Sequence, residues 1–320
     1  MLSFILKRVL QTAVLLLAVS VLVFIGCQIL PGDVAQVALG QFATEDNVRA
    51  LRLELGLDRP AYVQYLSWLA GILQGDWGQS ITTKTSVATM LSERLWNTGL
   101  LALVTTIIAV PLALILGLLM AVGAGRTWDR GASIVVLGLS ATPEFLIGTL
   151  AVLLFAVQLR WLPAVAYLSP GAGISQTARA LFLPVLTLVI VVTAQIARMT
   201  RAIIANLLTQ PFVEMAFLKG VPTRRVVGVH ALINAVGPLA NVVALNIAYL
   251  VSGVVVVETI FAYPGLAGLM INAVQARDLP VVQACALIFC ATYVLMILLA
   301  DILAHVYDPR STAQTAEVKV

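Results

Sequence analysis

Six long stretches of this chain carry no charged residue or nearly none: Val9–Leu30, Leu95–Gly125, Gly131–Leu159, Ala180–Ala197, Val226–Val257 and Leu279–Ala300. About 20 apolar residues let a helix cross the hydrocarbon core of a bilayer, and each stretch reaches or approaches that length. The pattern predicts six transmembrane helices, with one acid, Glu144, inside the third. No stretch has the ten-residue alternation of a lipid-facing barrel strand. Pro111, Pro143, Pro184 and Pro238 fall within or beside these stretches. Membrane helices tolerate proline where neighbouring helices satisfy the freed backbone groups, so bends and a packed bundle are expected. The predicted fold is all-α and polytopic.

Two connecting segments are too long to be mere links. In the first, residues 31–94, Thr44 is placed to cap a helix carrying Val48, Leu51 and Leu55 on one face, with Gly56 as its stop. Pro60 then opens a second helix with Tyr62, Tyr65, Leu66, Trp68, Leu69 and Ile72, an aromatic-rich set suited to a membrane interface. The second long segment lies at about 207–225. The predicted organisation is thus a first helix with its leading residues over 1–30, a loop with short helices over 31–94, a five-helix core over 95–306 containing the 207–225 loop, and a polar tail over 307–320. No internal repeat is visible at six spans.

Composition agrees. The chain is 61% hydrophobic and 11% charged, with a mean hydropathy of +1.02, where soluble domains are nearer half apolar and a quarter charged. So little charge cannot cover a globular surface, and the solvent must be mostly lipid. The net charge of +4 is then a topology signal, with nucleic acid an unsuitable partner. With the N-terminus inside, the internal segments collect eleven Lys and Arg and the external ones eight, the latter offset by nine acids. The excess of basic residues marks the cytoplasmic side, so both termini are expected there. Lys7 and Arg8 precede a run too long for a signal peptide and lacking a small-residue cleavage site. Cys27, Cys285 and Cys290 each sit in an apolar run and read as small core hydrophobes.

Catalytic equipment is not evident. None of the four lysines follows a glycine, so there is no Gly-Lys-Ser/Thr phosphate cradle and no ATP hydrolysis by that route. The only histidines, His230 and His305, form no zinc-protease motif. No serine nucleophile motif is present, and no cofactor or metal is expected in the chain.

The internal loop is the informative segment. Glu214-Met215-Ala216-Phe217-Leu218-Lys219-Gly220 reads as a short two-faced helix stopped by glycine, followed by Arg224 and Arg225. Such a helix either docks in a groove of a partner or rests on the bilayer. The stretch resembles the EAA loop of ABC importer permeases, with Glu214, Ala216 and Gly220 at the motif's positions and Met215 where alanine is usual. Other segments are similar to the dipeptide and oligopeptide branch of that family: Pro31-Gly32-Asp33, Leu55 to Pro60 followed by Gln64-Tyr65, Gly75-Asp76-Trp77-Gly78-Gln79-Ser80, Trp161-Leu162-Pro163, Glu258 to Leu266, Arg277-Asp278-Leu279-Pro280 and Asp308-Pro309-Arg310. The likeness runs in order along nearly the whole chain.

That resemblance implies a six-helix, type I importer permease in a bacterial inner membrane, importing di- or oligopeptides. It implies as partners a second permease subunit, two cytoplasmic ATPase subunits that bind ATP and Mg and grip the Glu214–Gly220 loop, and an external solute-binding protein. Lys219, Arg224 and Arg225 join the expected ATPase-coupling set. Permeases for nickel chelates, glutathione or oligosaccharides would look alike at this level. A stand-alone secondary carrier or channel is the alternative of a different class.

Four polar residues are candidates for the solute pathway. Glu144 is costly inside a span unless it faces protein or water, and its other reading is a structural pair with the Arg198/Arg201 end of span four. Glu258, Arg277 and Asp278 fall at the expected outer mouth, where they would meet the solute or the binding protein. Glu258 equally suits bracing of the Tyr263-Pro264-Gly265 turn. Arg198 and Arg201 are expected to snorkel to lipid phosphates, with orientation of the internal loop as their second reading.

Overall fold

The structure, a computed structural model, describes residues 2–29, 34–54, 56–167, 171, 173–222, 225–252 and 254–307. Pro31-Gly32-Asp33, Leu55, Arg224, the side chain of His230 and Asp308-Pro309-Arg310 with the tail lie outside the described residues. The described helices are α1 (Leu2–Ile29), α2 (Val34–Leu39), α3 (Glu45–Glu54), α4 (Ala61–Leu73), α5 (Val87–Val122), α6 (Thr127–Ala141), α7 (Glu144–Ala151), α8 (Ile174–Leu208), α9 (Pro211–Leu218), α10 (Leu232–Ser252), α11 (Val255–Ile260), α12 (Leu266–Gln275) and α13 (Leu279–Tyr307). Five helical segments are long and apolar enough to cross a membrane, and α6 with the helix from Glu144 to Gln158 makes a sixth if the bent pair is one span. The spans outrun the uncharged stretches. α5 starts at Val87 and takes Glu93 and Arg94 into its second turn, and α8 starts at Ile174 rather than Ala180.

The third stretch is not a straight crossing. Its two helices meet at 98°, and the cause is local. Proline disfavours helical backbone at the residue before it, so Thr142 turns extended (ψ 128°) and α6 ends. Pro143 then leads into α7. Beyond Ala151 the helix widens into π turns over Val152–Gln158. Pro111, Pro184 and Pro238 instead lie inside continuous helices.

The chain divides into two compact units. One holds α1–α4, the start of α5, α12 and the first part of α13. Here Thr44 caps α3 as expected, its hydroxyl accepting the Asn47 amide at 3.3 Å. Val48 and Leu51 are buried with Ala35 of α2. α4 rests on α1 through Tyr65 and Trp68 against Phe24, with ring centroids 5.5 and 6.0 Å apart. The Tyr65 and Ser20 hydroxyls meet at 2.9 Å. A second cluster packs Val87 and Leu91 of α5 with Leu266 and Leu269 of α12 and Val281 and Cys285 of α13.

The other unit is built around α8, the most enclosed of the long helices, with 78% of its most apolar window buried against 11% for α1. A helix apolar all round belongs inside a bundle. α6, α7, α10 and α11 all pack on α8, whose Leu188, Val192, Ile196 and Ala197 are fully buried. α5 also crosses α8 closely: a Cβ on Gly117 would lie 2.6 Å from the Ala197 carbonyl oxygen and from Thr200. Small residues at such crossings let backbones approach, which is how membrane helices associate without a hydrophobic drive between them.

Candidate functional site

The predicted internal helix is α9. Pro211 occupies its first turn, where a missing N–H costs nothing. Gly220 ends it with φ +76°, a left-handed conformation that favours glycine. The turn closes through Lys219 N–H to the Met215 carbonyl (3.1 Å) and Val221 N–H to the Ala216 carbonyl (3.1 Å).

One face of α9 is seated and the other is open. Val213 and Ala216 are buried with Val226, and Leu208 and Val221 pack against them. Glu214, Met215, Phe217, Leu218, Lys219, Gly220 and Arg225 are exposed, as is Phe212. The helix therefore presents apolar side chains between a carboxylate and an ammonium. The small side chain of Ala216 has a physical reason, since it is the contact with the rest of the unit.

α8 carries α9, and the last turns of α8 are tied down by an ion pair that the sequence did not announce. Arg201 donates from Nε to Asp129 Oδ1 and from its terminal nitrogen to Oδ2, both at 2.8 Å. Asp129 also accepts the Gly125 amide (3.1 Å) and the Ser133 hydroxyl (3.3 Å). Its side chain is 2% exposed and that of Arg201 33%. Arg201 is thus committed to protein rather than reaching for lipid as expected, while Arg198 is exposed. The fork matches the carboxylate in the two-point geometry that lysine cannot supply.

Glu144 does not pair with Arg198 or Arg201. It is the first residue of α7, beyond the bend, and its Oε2 accepts a hydrogen bond from the Tyr249 hydroxyl of α10. Among the described residues its buried Oε1 has no hydrogen-bond partner, nor has Oδ1 of Asn246, about one helical turn before Tyr249.

The other acids are enclosed. Glu258 on α11 is 2% exposed, and its carbonyl accepts the Tyr263 amide at 2.8 Å, closing the end of α11. Burial, and then the Glu258 carboxylate nearby, push the Tyr263 hydroxyl above its ordinary value. Asp278, in the first unit, is also 2% exposed. Its carboxylate accepts the Ile81 amide (3.1 Å), the Thr82 hydroxyl (2.9 Å) and the Ser80 hydroxyl. It thereby holds the tight loop between Gln79 and Ser86 against the start of α13. Arg277 precedes it with a left-handed φ of +53°.

The site residues were brought together only in part. Glu214, Ala216, Lys219 and Gly220 share one short helix and its stop, whereas Glu144, Glu258, Arg277 and Asp278 belong to three separate clusters. Tyr249 and Asn246 stand with Glu144, Ser80 with Asp278, and Asp129 with Arg201 in a pair of its own; the sequence does not single out these roles. The available signals were an acid in a short basic loop and polar side chains within apolar spans.

Comparison with known proteins agrees with this architecture. Residues 113–313 match the family described as binding-protein-dependent transport system inner membrane component, and residues 1–102 match its N-terminal counterpart. A protein of Sinorhizobium fredii named "Probable peptide ABC transporter permease protein y4tP" is 36% identical over 308 residues, covering 96% of this chain and 98% of its own. The glutathione transport system permease protein GsiC of Salmonella choleraesuis is 36% identical over 310 residues, covering 97% and 98%. The chain belongs to the family of binding-protein-dependent transport system inner membrane components. It is a multi-pass permease of the inner membrane in an ABC transport system, and not an enzyme in its own right.

Proposed function

We propose that this chain forms half of the pore of an ATP-driven importer of small peptides. A second permease subunit supplies the other half, two cytoplasmic ATPase subunits bind ATP and Mg, and an external solute-binding protein delivers the solute. Both termini and α9 lie on the cytoplasmic side. Full-length relatives named for peptide and for glutathione transport support the substrate class, glutathione being itself a tripeptide.

The observation that carries the mechanism is the divided face of α9. Val213 and Ala216 fix it to the permease, while Phe212, Met215, Phe217 and Leu218 stand at 41–76% exposure, an apolar surface of the kind that docks in a partner's groove. Glu214 and Lys219 flank it and set the register. Arg225, with Arg224 beside it in sequence, adds positive charge. Closure of the ATPase pair on ATP moves α9, and α8 passes that movement into the bundle.

A photoreactive benzophenone on Leu218→Cys, in the assembled transporter, is expected to cross-link to the ATPase subunit. The same probe on Ile134→Cys, 72% exposed on α6, is expected to label lipid or permease only. Absence of ATPase adducts from Leu218→Cys contradicts the docking role of α9.

A further inference from the structure

Glu144 is a carboxylate inside the third apolar stretch. α6 has 15 residues and at about 1.5 Å per residue is about 22 Å long, shorter than a hydrocarbon core about 30 Å thick. The 98° bend then delivers Glu144 as the first residue of α7. Acids within apolar spans are retained where they serve a pathway or a partner. Its one hydrogen-bond partner among the described residues is the Tyr249 hydroxyl. Among the described residues Oε1 is left buried and unpartnered, as is Oδ1 of Asn246 on the same face of α10 as Tyr249. The Asn246 amide nitrogen gives one of its two hydrogens to the Val242 carbonyl at 2.9 Å, and its oxygen stays on offer.

The two side chains therefore present open acceptors, Glu144 Oε1 and Asn246 Oδ1, one of them on a carboxylate, with a single amide hydrogen of Asn246 beside them. Tyr249 uses its hydrogen on Glu144 and fixes the carboxylate's orientation. Unsatisfied acceptors in a dry place are costly, and the group that complements them is a compact cation with several N–H bonds. A primary ammonium has three donors and a full charge.

We propose that Glu144, Asn246 and Tyr249 form a transit site that takes the protonated N-terminal amino group of a peptide as it crosses the membrane. This rests on the peptide-importer reading and adds to it a selectivity step inside the permease, after the binding protein has released the solute.

The test compares uptake of labelled Ala-Ala with N-formyl-Ala-Ala, which lacks the ammonium, in proteoliposomes holding the complete transporter. The same binding protein serves every variant, so a change in the ratio of the two uptakes reports the permease alone. Glu144→Gln keeps the acceptor for Tyr249 and loses the charge. It is expected to lower the Ala-Ala to formyl-Ala-Ala ratio at least about tenfold, the scale of one charge-assisted hydrogen bond. Glu144→Asp, which keeps the charge, is expected to retain most of the wild-type preference. An unchanged ratio in Glu144→Gln overturns the site. If that variant does not assemble, Asn246→Ala, which removes the second acceptor, is read instead, and an unchanged ratio there overturns the site equally. Failure of the wild type to import either peptide sinks the peptide reading and the site together. That outcome is distinct from import with an unmoved ratio.

Discussion

Asp129→Ala is expected to lower the melting temperature of the assembled transporter by roughly 5 °C or more. The variant strands Arg201, whose Nε and terminal nitrogen each donate to the carboxylate at 2.8 Å. It also frees the Gly125 amide and the Ser133 hydroxyl that share this acceptor. Breaking a fully buried ion pair costs about 3–5 kcal/mol. Arg201 is 33% exposed, so water recovers part of that and a loss of about 2–3 kcal/mol is expected. Arg201→Lys keeps the charge and loses the fork, and should fall between the wild type and Asp129→Ala. Asp129→Ala combined with Arg201→Ala should cost less than the sum of the single changes, because no charge is then left without its partner. Additive costs in that cycle would mean that the two side chains do not act as a pair.

The second large effect belongs to the seat of α9. Ala216→Leu adds three carbons where Ala216 meets Val213, Val226, Leu208 and Val221. Overpacking of this kind costs about 1–3 kcal/mol. α9 is short and contacts the protein along one face, so the cost is relieved by lifting the helix rather than by unfolding the bundle. Gly220→Val works from the other end. Space around Gly220 is open, but φ +76° disfavours a β-branched residue by about 1–3 kcal/mol. Both variants should assemble in the membrane and lose ATP-dependent uptake at least about tenfold, the equivalent of about 1.4 kcal/mol in the coupled step. ATP hydrolysis by the partner subunits should persist. Uptake at wild-type rate from either variant would remove α9 from the coupling path.

The spans were legible because hydrocarbon imposes one requirement, about 20 apolar residues in a row, and the chain writes it plainly. The caps of the 31–94 loop were legible for a similar reason: Thr44, Gly56 and Pro60 each act within a few residues of themselves. The bend was half legible. Pro143 announces that the third stretch cannot run straight, but the 98° angle depends on what α7 packs against. The pairs were not legible. Asp129 lies 72 positions from Arg201, Glu144 lies 105 from Tyr249 and Ser80 lies 198 from Asp278. In each case at least one partner looks like something else in sequence. Asp129 resembles a loop charge that merely dilutes the basic count of its neighbours, and Tyr249 a membrane aromatic. The sequence places Arg201, like Arg198, at the lipid interface because arginines at a span end usually go there. The fold supplied a carboxylate instead.

The most direct measurement is uptake of a labelled dipeptide into proteoliposomes, with this chain reconstituted alone and together with its partner subunits and binding protein, with and without ATP. Accumulation only in the complete assembly, only with ATP and lost in Gly220→Val is the predicted result. Movement of the peptide by this chain alone, driven by an ion gradient, would contradict it and make the chain a secondary carrier.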